Sequence, residues 1–134
     1  MNNHELEKKV KNFVHTLRHE KGLVCAVDLL IKLDYLPKKD YEDWRFGKVD
    51  YLEKVCKANL SKLTLIMKTM RKIATDLKLD KSWTGYNQYG KGVKRKLRFS
   101  KSGNENIEEA YATHYIDKIR IIELKLEKPA CNKN

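Results

Sequence analysis

Cysteine, proline and glycine are scarce in this chain, with three, two and six copies among 134 residues. Cys25, Cys56 and Cys131 are odd in number and widely spaced, which fits neither a disulfide framework nor a zinc pattern. Buried thiols in a reducing cytoplasm are the expectation. No apolar run approaches the roughly 18 residues that a bilayer span needs, so no membrane partner is expected. The first residues lack a basic stretch followed by an apolar one, so secretion is not expected either. Internal repeats and dividing linkers are absent, as is any complete catalytic or cofactor motif. The last absence is of one charge sign: from Lys81 through Asn104 there is no acid.

What is present suits a folded domain. Apolar residues make up 41% and charged residues 35%, with Leu, Ile and Val recurring periodically, unlike a disordered chain. One domain over residues 1–128 is expected, with a frayed tail at 129–134. Charge is segregated along it. Residues 51–103 hold fourteen cations against three acids and so carry +11, while residues 1–50 and 104–134 are nearly neutral. A net charge so placed is an argument about partners, and it points to a polyanion.

Read in order, Leu6, Val10, Phe13, Val14 and Leu17 predict an amphipathic helix over 4–20, stopped by Gly22. A second helix is predicted at about 23–33 and is broken at Asp34-Tyr35-Leu36-Pro37. Asp40 is placed to cap a short helix holding Tyr41, Trp44 and Phe46 and ending at Gly47. Asp50-Tyr51-Leu52-Glu53 has the spacing of a capping box. From there two readings stand: a short helix at 51–57, a three-residue turn and a Ser61-capped helix at 61–78, or one continuous helix from 51 to 78. In either, Leu63, Ile66, Met67, Met70, Ile73, Ala74 and Leu77 form a buried face. Ser61, Thr64, Lys68, Arg71, Lys72 and Thr75 form the polar stripe opposite it.

Extended segments at 82–89 and 93–99 flank Gly90-Lys91-Gly92 and read as a β-hairpin. Asn104 is expected to cap a helix near 105–115, with Glu105, Glu108 and Glu109 in its first turns. Ile122, Leu124 and Leu126 alternate with charged residues and predict a half-buried strand. The fold class is therefore α+β: mainly helical, with a small antiparallel sheet.

The candidate binding residues follow from this layout. Lys62, Lys68, Arg71 and Lys72 on the long helix, and Lys91, Lys94, Arg95, Lys96, Arg98 and Lys101 around the hairpin, can meet phosphates or guanine edges. Trp83, Tyr86, Tyr89 and Phe99 offer flat faces on which unpaired bases can stack. Against this stands a core role, favoured for Trp83 and Phe99 by the large area such rings bury. The two helices followed by a basic hairpin resemble winged helix-turn-helix proteins, which implies a second helix lying in the major groove. Phe99-Ser100-Lys101-Ser102-Gly103-Asn104, leading into a helix, is read first as a capped turn and second as an anion contact.

Catalysis has thinner support. His15 and His19 lie four apart, but Glu20 after them is not the zinc-protease arrangement, and no third ligand is nearby. Glu108, Glu109 and His114 make a loose cluster for a metal nuclease, since only Glu105 and Glu109 share a helix face. The segments Trp44-Arg45-Phe46-Gly47-Lys48-Val49-Asp50-Tyr51-Leu52-Glu53 and Glu108-Glu109-Ala110-Tyr111-Ala112-Thr113-His114-Tyr115 resemble pieces of a small uncharacterised bacterial or phage family, to which no activity attaches. Non-catalytic nucleic-acid binding, without cofactor or metal, is the leading expectation. An interaction or inhibitor module docking on an acidic protein is second, and a small nuclease third.

Overall fold

Two amphipathic helices, α1 (Asn3–Lys21) and α4 (Leu60–Asp76), pack on one another as the spine of the computed structural model, which describes residues 2–90 and 95–131, with side chains through 127. Leu6, Val10, Val14 and Leu17 of α1 are buried, as are Leu63, Ile66, Met70 and Ala74 of α4. Both stripes recur every three or four residues, as a helical core face must. The Asn2 side chain caps α1 by accepting from Glu5 N–H at 2.8 Å. Gly22 ends it with φ of +67° and donates to the Arg18 carbonyl at 2.9 Å.

The helix predicted from residue 23 begins later. Leu23–Val24 is instead a short strand, β1, and α2 spans Ala26–Lys32. Residues 23–24 stay extended because they pair with β3 (Thr113–Ile116), with Leu23 opposite Ile116 and Val24 opposite Tyr115. After the break at Asp34–Pro37, α3 covers Lys38–Arg45. Pro37, not Asp40, occupies its cap position, and Asp40 lies in its first turn. The continuous 51–78 helix does not form. Leu52–Val55 is a single 3₁₀ turn, Cys56 is extended, and Asn59 rather than Ser61 caps α4 by accepting from Lys62 N–H at 2.9 Å.

The strand β2 (Asp80–Trp83) pairs antiparallel with β3, not with residues 95–99, giving a three-stranded sheet in the order β1-β3-β2. The expected hairpin survives as a shorter arm between β2 and α5 (Glu105–Ala112). In it Gln88 N–H donates to the Arg95 carbonyl and Leu97 N–H to the Tyr86 carbonyl, both at 2.8 Å, about an Asn87–Lys96 bridge. Its tip, with Lys91 and Lys94, lies outside the described residues. Asn104 caps α5 as expected, accepting from Asn106 and Ile107 N–H.

The strand expected at Ile122, Leu124 and Leu126 is a helix, α6 (Lys118–Cys131), which crosses the expected start of the tail. Asp117 starts it by accepting from Arg120 N–H at 3.0 Å, and Arg18 holds that carboxylate at 2.8 Å. Apolar residues at 119, 121, 122, 124 and 126 satisfy both periodicities, so alternation alone could not separate them. Ile119, Ile122 and Leu126 remain exposed, while Ile121 packs against Gly22. No helix among the described residues is long and apolar enough to cross a membrane.

Gly22 joins α1 to α6 at close quarters. A Cβ there would lie 2.6 Å from Ile121 Cγ1 and 3.1 Å from its backbone nitrogen, at a backbone angle that side chains rarely adopt. Gly22→Ala is therefore expected to lower stability by about 1–3 kcal/mol, from strain plus displacement of α6. Urea denaturation compared with wild type measures this.

Candidate nucleic-acid interface

The polar stripe predicted on α4 is exposed in full: Ser61, Thr64, Lys68, Arg71, Lys72 and Thr75 all face solvent. Its cations look two ways. Lys68 and Lys72 line a groove of about 880 Å³ between α4 and α1, together with His4, Lys8, Lys11 and His15, with Glu7 and Asp76 at its acid side. Arg71 lies on the other flank, in a cleft shared with Lys81, Asn106, Glu109 and Tyr115. Lys62 is half-buried and stands off the stripe, its position turned away by about 100° per residue of helix.

The arm carries the second group. Arg95 and Arg98 line a cleft with Gly47, Val49 and Asp50. Lys96 sits over the Trp83 ring at 4.9 Å and Arg98 over Tyr51 at 5.5 Å, while Arg95 Nε donates to Gln88 Oε1 at 3.1 Å. Arg45, unmarked in the sequence reading, lies over Tyr89 at 4.1 Å and Tyr86 at 4.9 Å, its buried Nε without a hydrogen-bond partner among the described residues. A cation over a ring keeps its full charge, whereas one in an ion pair has that charge neutralised.

Ion pairs between described residues engage Arg18, Lys21, Lys32, Lys54, Lys57, Lys118 and Arg120. None engages Lys62, Lys68, Arg71, Lys72, Arg95, Lys96, Arg98 or Lys101. The nearby acids are used otherwise. Glu108 accepts from Phe99 N–H at 2.9 Å, Ser100 N–H at 2.7 Å and the Ser100 hydroxyl at 2.6 Å. Glu53 accepts from Lys101 N–H at 3.1 Å and the Tyr111 hydroxyl at 2.8 Å, in place of the capping-box role expected of it. The donors considered for an anion at 99–104 are thus largely taken by the protein's own carboxylates. Ser100 is buried, and its hydroxyl also accepts from Gly103 N–H at 3.1 Å.

An aromatic cluster fixes the arm to the body. Phe99 and Tyr86 are buried; Phe99 stacks on Tyr111 at 5.3 Å and meets Trp44 at 5.2 Å, and Trp44 Nε1–H donates to the Arg98 carbonyl at 2.9 Å. Phe99 is therefore core, as expected. Trp83 is not: it is 57% exposed, at the end of the edge strand β2. Tyr89 is exposed as well, edge-on to exposed Phe46 at 5.6 Å.

The nuclease candidates do not converge. Glu108 is bound to the 99–100 backbone, and His114 Nε2 lies 3.0 Å from the Tyr86 hydroxyl. No group of three or more His, Cys, Asp or Glu side chains among the described residues is placed to hold a metal. Burial pushes the Cys25 and Cys56 thiols up to about 12, so both stay protonated near neutral pH. Burial also raises Tyr111, with its bond to Glu53 adding to the effect, and lowers His114 from its ordinary 6.5.

Lys8, Lys11 and Arg45 are the cations that sequence reasoning missed. For α1 the signal was present: His4, Lys8, Lys11 and His15 recur at helical spacing on one face. No family model, curated protein or solved structure matches the chain.

Glu108 is the joint between arm and α5. Glu108→Ala leaves three donors without their acceptor, and is expected to cost about 2–4 kcal/mol and speed amide exchange at Phe99 and Ser100. His114 sets a pH dependence. Its folded pKa lies below the unfolded value, so its contribution is complete above about pH 6.5 and is lost as pH falls through the lowered value. Stability should decline as pH falls below about 6.5, less so in His114→Asn, as read by thermal melts at successive pH values.

Proposed function

We propose that this protein binds nucleic acid without catalysis, holding phosphates on the exposed cations of α4 and of the arm. The observation that carries this is the clustering of unneutralised charge. Every cation of α4 and of residues 95–101 is without an ion-pair partner among the described residues, and the only acid in those two segments is Asp76 at the end of α4. Unneutralised cations on one segment cost repulsion, which a polyanion relieves with release of its counterions. Lys8 and Lys11 beside Lys68 and Lys72 extend the same surface onto α1. On the same reading the protein works in a reducing cytoplasm, which its free Cys25 and Cys56 suit.

The element order shares only part of the winged helix-turn-helix arrangement: β1 lies beside β3, but α3 and a 3₁₀ turn separate α2 from α4, and α5 separates β2 from β3. In that comparison α2 and α4 form the helix pair, with residues 38–57 inserted between them, and the 51–57 segment has no part in it. Fold likeness assigns no function by itself, so the charge placement carries the weight.

Binding to duplex DNA, single-stranded DNA and RNA at two salt concentrations tests the proposal. Affinity should fall steeply with salt, with a log–log slope of about −0.9 per neutralised phosphate on duplex and about −0.7 on single strands. Replacing Arg95, Lys96 and Arg98 together by Ala should flatten that slope by about 2–3 units, as should replacing Lys68, Arg71 and Lys72. Absence of binding to all three at low salt would remove the proposal and leave an acidic protein as the partner.

A further inference from the structure

Trp83 is an anomaly on this surface. A large ring left more than half exposed on an edge strand costs hydration that a core position would avoid. Its surroundings are specific. Gly85 lies directly against the indole, since a Cβ there would come within 2.9 Å of the ring. Lys96 covers it from the arm at 4.9 Å. Between them opens a cleft of about 390 Å³, lined also by Phe99, Gly103, Glu105, Glu108 and Glu109. That volume is within the range of small-ligand sites.

The cleft adjoins the one that holds Arg71 and Lys81, with Glu109 lining both. Lys81 and Trp83 are two apart on β2, so they project from the same face of the strand. Arg71, Lys81, Trp83 and Lys96 therefore form one track: two cations, a ring, a cation. The carboxylates of Glu105, Glu108 and Glu109 repel a phosphodiester from the cleft itself, so the cleft suits a neutral base while the cations beside it suit a backbone.

We infer that this track binds single-stranded nucleic acid, with an unpaired base stacked on Trp83 in place of the Lys96 ammonium and phosphates on Arg71, Lys81 and the displaced Lys96. Bases in a duplex are stacked on one another and cannot occupy an indole face, so the ring selects unpaired strands. This rests on the proposed nucleic-acid function and names its ligand class.

The two tryptophans make the test direct, since Trp44 is fully buried and Trp83 is exposed. The full chain is titrated with a single-stranded oligonucleotide of about 15 nucleotides and with the corresponding duplex. The single strand should bind more tightly and quench tryptophan emission. Trp83→Leu, with its fold checked by circular dichroism, should abolish the quenching and weaken single-strand binding about 5- to 100-fold. Trp83→Phe should recover most of that affinity. Duplex affinity should be the same in all three proteins. The factor lost in Trp83→Leu should persist at high salt, whereas losses from Lys81→Ala shrink, because stacking releases no counterions. Tighter binding to duplex, or single-strand binding unaltered by Trp83→Leu, overturns the inference while leaving nucleic-acid binding in place. Failure to bind any nucleic acid at low salt removes the underlying function instead.

Discussion

The burial of Trp44 is the contact on which the rest of the candidate site depends. Its indole is fully enclosed, touches Tyr41, Tyr86 and Phe99 at ring separations of 5.2–6.1 Å, and donates its N–H to the Arg98 carbonyl. Thus a residue of α3 reaches the arm's polar backbone and its apolar side chains at once. An aromatic that fills its volume and satisfies its one donor holds its neighbours in a single arrangement. Without it, a segment with a single bridge and a few backbone hydrogen bonds would have little to define its position.

The carboxylates complete that attachment. Glu53 and Glu108 bind backbone N–H groups and hydroxyls at 99–101 rather than side-chain cations, and charge-assisted bonds of this kind are stronger than neutral ones. Negative charge is thereby turned inward to hold the arm. Positive charge on the same segment is left pointing outward. Aromatic rings, not acids, lie under Lys96, Arg98 and Arg45, supporting the cations without neutralising them. Anchoring and charge display are two results of one placement of acids.

Several errors in the sequence reading have the same origin. Glu53 stands three residues after Asp50, and the spacing of a capping box was there to read, but Tyr111 and the Lys101 N–H compete for its carboxylate from 58 and 48 residues away. Its size favours a core place for Trp83 over a stacking one, yet the ring stays exposed on an edge strand. Ile122, Leu124 and Leu126 alternate, yet Asp117, held by Arg18 from α1, starts a helix there. Each outcome was decided by a partner far along the chain.

By itself the sequence determined the amphipathic faces of α1 and α4, the stop at Gly22, the cap at Asn104, the α+β class and the concentration of positive charge in residues 51–103. These depend on neighbours within one or two helical turns, so spacing along the chain contains them. The tertiary structure alone decided that β2 pairs with β3, that the arm is held by Trp44 and Glu108, and which aromatic rings remain outside. Those choices turn on hydrogen bonds and apolar contacts closed across long loops. Local periodicity carries no record of such partners until the chain has brought them together.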